Sequence, residues 1–128
     1  MYSIDEVEAM LDDIAAELPD DFWKELHGGV ILMPDVKYHY AGPGDLHILG
    51  DYNNYYNYGR HIRIYYGSFI QVYGHLPPEH FRAQLRSTLI HEFTHHLESL
   101  AGERGLEIKD KIQLEQYKQF KRNRHENL

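Results

Sequence analysis

The sequence contains no cysteine and is poor in positive charge, and each shortage excludes a class of site. Without cysteine the chain can form no disulfide, no thiolate ligand for zinc and no cysteine nucleophile. Any metal ion would therefore be held by nitrogen and oxygen atoms. With 13 Lys and Arg against 20 Asp and Glu, the net charge is -7, which argues against a nucleic-acid partner. The basic stretch KRNRH near the C-terminus is interpreted as a solvated helix end.

The sequence also lacks a long hydrophobic run. No apolar stretch approaches the roughly 18 residues that a membrane span needs, and the first residues are acidic and polar. We therefore expect a cytoplasmic protein with no membrane partner. At 128 residues and 42% hydrophobic content, the chain is expected to form one globular domain over residues 1–128.

Residues 91 to 95 read His-Glu-Phe-Thr-His, an HExxH pattern in the most clearly helical part of the chain. Residues four apart lie on one face of a helix, so His91 and His95 can reach the same ion. Glu92 would then sit beside that ion, where a carboxylate can accept a proton from an activated water molecule. The pattern predicts a zinc site with Glu92 as general base.

The geometry of this helix separates its apolar and polar faces. At about 100° per residue, His91 and His95 project away from one apolar stripe, and Glu98 shares their face. His96 falls within the apolar stripe and is predicted to be a packed, hydrogen-bonded histidine and not a ligand. Glu92 lies at the border. The apolar stripe consists of Leu85, Leu89, Phe93, Leu97 and Leu100.

The remaining patterns predict an α+β fold built from short elements. The first half of the chain is predicted to contain a helix capped by Ser3 and Glu6 and ended by Pro19, a short helical segment near Phe22 to Leu26, a strand at Val30 to Met33 and a loop at Ala41 to Asp45. Strands follow at Leu46 to Tyr52 and His61 to Tyr66, and the segment Phe69 to Tyr73 continues the last strand or pairs with it. The motif helix runs from Pro78 to about Ala101 and is closed by Gly102, and a last helix is predicted at about Leu106 to Phe120.

Tyrosine is abundant, with 11 in the chain, and four of them lie in the stretch DYNNYYNYGR. Asparagine and glycine make this stretch turn-like, and tyrosine side chains can bind a peptide or a sugar at low entropic cost. Tyr52, Tyr55, Tyr56 and Tyr58 therefore form either an aromatic rim on a cleft or a well-packed loop.

From Leu49 to Gly102 the chain resembles the small bacterial zincin-like metallopeptidase family, in the segments LGDY, IRIYYGSF and LRSTLIHEFTHHLESLAG. The resemblance implies a minimal zincin fold, with an N-terminal helix, a small mixed sheet, the HExxH helix and a C-terminal helix. It also implies a zinc-dependent peptidase. In zincins a strand before the motif helix lines the cleft and pairs with an extended substrate, which makes His61 to Tyr66 or Phe69 to Tyr73 the candidate strand.

The third zinc ligand cannot be carried over from this resemblance directly. Short family members carry HExxHxxGxxD, whereas the last two motif positions here are Glu98 and Ala101. The segment LEIKD resembles the family's segment after the helix, displaced by an insertion, which makes Asp110 the first choice. The alternatives are Glu98, Glu103, Glu107 and Glu115.

The sequence thus predicts a zinc metallopeptidase that acts on a peptide or protein substrate, with Zn²⁺ held by His91, His95 and Asp110 and with Glu92 as base. A non-catalytic peptide-binding module that keeps the fold and uses the tyrosine-rich loop is the alternative. A structural zinc domain would instead need four protein ligands and a closed site.

Overall fold

The computed structural model describes residues 1–39, 46–55 and 59–104, with side chains for all of these except residues 55, 103 and 104. The described residues form an α+β fold in which helices surround one small sheet, as the sequence pattern predicts. The elements are α1 (Ile4–Glu17), a 3₁₀ turn (Asp20–Trp23), β1 (Gly29–Met33), β2 (Gly50–Tyr55), β3 (Gly59–Tyr65), α2 (Tyr66–Tyr73) and α3 (Pro78–Arg104).

The sheet is mixed and has the strand order β1-β3-β2. β1 runs parallel to β3, and β2 runs antiparallel to it. β3 is the central strand, and its inward residues Ile62 and Ile64 are fully buried. β2 is therefore an edge strand of the described sheet, and it begins at Gly50 instead of Leu46.

The segment after β3 is a helix, so the strand predicted at Phe69 to Tyr73 is wrong. Tyr66, Phe69, Ile70 and Tyr73 recur at intervals of three and four residues, which is the helical period. The Phe69 ring packs edge to face against Phe81 of α3, with ring centroids 5.7 Å apart. The short length of the segment hid this period.

The apolar stripe of α3 is its buried face, as predicted. Leu85, Leu89 and Phe93 are fully buried, and Leu97 and Leu100 are nearly so. α1 begins at the predicted capping box, in which the Ser3 hydroxyl accepts from the Glu6 amide and the Glu6 carboxylate accepts from the Ser3 amide, both at 3.1 Å. No helix within the described ranges is long and apolar enough to cross a membrane.

The end of α3 differs from the prediction. Gly102 closes a helix only where the backbone turns to positive φ, and the described glycines that do so are Gly29 and Gly59. α3 instead passes through Gly102 and is described as far as Arg104. The predicted last helix at Leu106 to Phe120 and the loop at 41–45 lie outside the described residues.

Candidate functional site

The two motif histidines lie together on the exposed face of α3, as the helical spacing predicts. The Nε2 atoms of His91 and His95 are 3.2 Å apart, and their rings meet edge to face. Two nitrogens bound to one zinc ion at 2.0–2.1 Å in a tetrahedral arrangement would be about 3.3 Å apart. The two imidazoles therefore fit as a pair of ligands to one ion.

Glu92 differs from both histidines because it is buried, with 5% of its surface exposed. Burial raises the pKa of its carboxyl group to about 7, and the negative charge of Asp51 adds to the increase. Asp51 itself is held ionised, because hydrogen bonds from Lys37, Tyr65 and Asn53 lower its pKa despite its partial burial. A carboxyl group with a pKa near neutrality can both take up and release a proton.

Strand β2 passes directly beside Glu92. A Cβ atom added to Gly50 would lie 3.5 Å from the Cγ atom of Glu92, and 3.0 Å from both the carbonyl of Arg63 and the side chain of Ile64. The residue at this position must therefore be small. Glycine allows the edge strand to approach the predicted base this closely.

A cleft of about 380 Å³ opens along α3 in front of these residues. Its walls come from α3, the chain leading into β2, and Tyr73 at the end of α2. The cleft is lined by His47, Ile48, Leu49, Gly50, Tyr73, Gln84, Ser87, Thr88, His91 and Glu92. The predicted general base and one predicted ligand thus face a space large enough for a peptide side chain.

Sequence reasoning missed the polar wall of this cleft. Gln84, Ser87 and Thr88 precede His91 by seven, four and three residues, so they share its helical face. That spacing was the signal that could have found them. His47 and Tyr73 also line the cleft, and the ring of His47 is fixed by a 2.6 Å hydrogen bond between its Nε2 and Oε1 of Gln71. Nothing in the local sequence of His47 and Tyr73 indicated this placement.

The strand at the sheet edge beside this cleft is not the strand that the sequence predicted. The sequence favoured His61 to Tyr66 or Phe69 to Tyr73 as the substrate-pairing strand, but the former lies in the central strand and the latter is helical. The strand that lies beside the motif helix at the edge is β2. Because the Tyr65 amide donates to the Leu49 carbonyl at 2.9 Å, the alternation of an antiparallel ladder directs the N–H and C=O of Gly50 away from β3.

His96 is a buried structural histidine, as predicted. Its Nε2 lies 2.7 Å from the carbonyl oxygen of Lys24, and its Nδ1 lies 2.9 Å from the Tyr52 hydroxyl. Burial lowers the pKa of His96, which favours the neutral ring. Tyr52 points at His96 and so does not belong to an exposed aromatic rim. Tyr56, Tyr58 and the Tyr55 side chain lie outside the described residues.

Of the five candidates for the third zinc ligand, only Glu98 has a side chain within the described residues. Glu98 is exposed on the same face of α3 as His91 and His95, two turns after His91. Asp110, Glu107 and Glu115 lie outside the described residues, as does the side chain of Glu103. Within the described ranges, no group of three or more His, Cys, Asp or Glu side chains is arranged to hold a metal ion.

Comparison with known proteins identifies a relative that matches most of this chain. A solved structure of a conserved hypothetical protein from Thermo thermophilus is 33% identical to this chain, with a TM-score of 0.67. The match covers 79% of this chain and 99% of the other. The chain belongs to the family of this protein. No family model and no curated protein matches the chain. Since the family member is described as hypothetical, membership supports the fold and leaves the activity to be argued from the site.

Proposed function

We propose that this family member is a zinc-dependent peptidase with a minimal zincin-type fold, in which His91 and His95 hold the metal and Glu92 is the general base. The observation that carries the proposal is a cleft lined by His91 and by the buried carboxyl group of Glu92, with the Nε2 atom of His95 only 3.2 Å from that of His91. A carboxyl group with a raised pKa beside a pair of metal ligands is typical of hydrolytic sites.

The metal would supply Lewis acidity, lowering the pKa of water and polarising the carbonyl to be cleaved. His91 and His95 would hold the ion through Nε2 in their neutral forms, so binding should weaken in acid. A third ligand would come from a carboxylate, with Asp110 as the first choice.

Glu92 has the properties of a base that works twice in one cycle. As a carboxylate it would take the proton from the attacking water, and as a carboxylic acid it would return that proton to the leaving amine. Without metal the pKa of Glu92 is about 7, and the positive charge of a bound ion would lower it and favour the carboxylate that acts as base. Glu92 is buried beside Gly50 and lines the cleft, so its carboxyl group would meet the reacting atoms in the cleft.

The peptide would lie along β2 as an added extended strand. Gly50 directs its backbone N–H and C=O away from β3, so these groups can bond to a substrate backbone. Backbone pairing fits a peptide and no other common hydrolase substrate. The polar, uncharged side chains Gln84, Ser87 and Thr88 would contact the substrate next to the scissile bond.

The activity is tested with a mixed peptide library and mass spectrometry of the products. Purified protein without a histidine tag is expected to cut peptides, to lose this activity on chelation and to regain it with zinc. If the protein binds library peptides equally well with and without metal and cuts none, it is a non-catalytic binding module.

The third ligand gives a separate prediction. Asp110→Asn should weaken zinc binding by more than about tenfold, because loss of a direct ligand costs at least as much as loss of a group that only orients one. Glu98→Gln should leave zinc affinity unchanged. Calorimetric titration of both variants decides the matter. If Glu98→Gln is the damaging change, the ligand lies on α3 and Asp110 is excluded.

A further inference from the structure

Two contacts of matching spacing join β2 to α3. Gly50 lies against Glu92, and Tyr52, two residues further along β2, hydrogen-bonds to His96, four residues further along α3. Two residues of a strand span about 6.6 Å and four residues of a helix about 6.0 Å, so the two contacts follow one another along the line where β2 meets α3. The first carries the predicted base, and the second lies next to the predicted ligand His95.

The second contact is directional. A carbonyl oxygen can only accept, so His96 must donate from Nε2 to Lys24, and its neutral ring then accepts at Nδ1 from the Tyr52 hydroxyl. His96 is fully buried, and its partners Lys24 and Tyr52 are half-buried, so the ring itself is shielded from water. The ring therefore connects α3 to β2 on one side and to the chain after the 3₁₀ turn on the other.

We propose that Tyr52 and His96 are positioning residues whose hydrogen bond holds the edge strand β2 at a fixed distance from the His91 and His95 pair. This inference rests on the proposed function, because its consequence concerns a peptide that lies along β2 and reaches the metal. The affinity of a ligand that contacts the metal alone does not depend on the position of β2. The affinity of a ligand that contacts both the metal and β2 does depend on that position.

The test compares two zinc-binding probes on zinc-loaded protein. Acetohydroxamate contacts the metal alone, whereas a hydroxamate carried on a three-residue peptide also pairs with β2. In Tyr52→Phe, which keeps the ring and removes the hydroxyl, the peptide hydroxamate is expected to bind about tenfold more weakly and acetohydroxamate equally well. A tenfold loss corresponds to about 1.4 kcal/mol, which lies within the range of the net contribution of one hydrogen bond.

Tyr66→Phe is the matched control, because Tyr66 is also half-buried and its hydroxyl donates a 2.6 Å hydrogen bond to the Tyr2 carbonyl. Neither Tyr66 nor Tyr2 lines the cleft. This variant should change neither affinity, although it should lower the melting temperature. A structural role for Tyr52 would likewise lower the melting temperature but leave the ratio of the two affinities unchanged, and that result would overturn the inference.

A second measurement needs no metal. In metal-free Tyr52→Phe, hydrogen exchange is expected to speed up in β2 and to stay unchanged in β1. Equal exchange in β2 of both proteins would overturn the positioning role while leaving the proposed function intact. If the unaltered protein binds zinc and neither hydroxamate, the proposed function fails and this inference fails with it.

Discussion

His91→Ala is expected to lower zinc affinity by more than about 10²-fold. Groups that only orient a metal-binding histidine already contribute 10- to 100-fold, so a direct ligand should contribute more. The change also removes one of the two nitrogens that lie 3.2 Å apart, which leaves His95 and one carboxylate, fewer than the three protein ligands of a catalytic zinc site. Competition with a chromogenic zinc chelator measures the affinity over the required range.

His80→Ala is the matched control for this prediction. His80 is an exposed histidine on the same helix, 11 residues before His91 and therefore about 16 Å away along the axis. The His80→Ala variant should bind zinc with the same affinity as the unaltered protein. Equal affinity in His91→Ala and in the unaltered protein would mean that zinc is held elsewhere.

Glu92→Gln is expected to keep zinc and to lower the rate of peptide cleavage by about 10² or more. An amide cannot take the proton from water, and general acid–base catalysis contributes about 10²–10⁴ to rates. Since Glu92 is assigned as base and not as ligand, zinc content should be unchanged. Loss of zinc would show that Glu92 is a ligand. An unchanged rate would show that the cleavage comes from a contaminating protease.

The same variant should change stability in a pH-dependent way when metal is absent. The folded-state pKa of Glu92 is raised from 4.5 to about 7, so the unfolded chain ionises first as pH rises. The resulting penalty is absent below about pH 4.5, grows between pH 4.5 and 7, and is complete above pH 7.

At pH 8, metal-free Glu92→Gln should thus be more stable to urea than the unaltered protein by up to about 3 kcal/mol, and at pH 4 the two should be nearly equal. Glu8→Gln, on the exposed surface of α1, should show no such rise. A difference that does not vary with pH would mean that Glu92 is not a buried acid with a raised pKa.

The helices that carry the site could be predicted from the sequence because their period and caps are local signals. The Ser3 capping box, the buried stripe from Leu85 to Leu100 and the outward direction of His91 and His95 all follow from residues within a few positions of each other. The same helical period correctly predicted that His96 lies in the core. Its partners Lys24 and Tyr52 were not predictable, since they are 72 and 44 residues away in the chain.

The sheet edge and the cleft were not predictable, because they depend on contacts between distant segments. β3 alternates like a half-buried strand, yet it lies in the centre because β1 and β2 both pair with it. The raised pKa of Glu92 arises from its burial and from the charge of Asp51, which lies about 40 residues earlier in the chain. The short α2 resembled a strand because eight residues show barely two turns of a helical period.

The central claim is that one zinc ion is bound by the two motif histidines. Anomalous scattering on either side of the zinc absorption edge, from crystals of protein purified without a histidine tag, tests it most directly. We expect a single peak per chain, within about 2.1 Å of the Nε2 atoms of both His91 and His95, with a carboxylate completing the protein ligands. A peak at any other place, or none from crystals grown with zinc, would contradict the claim.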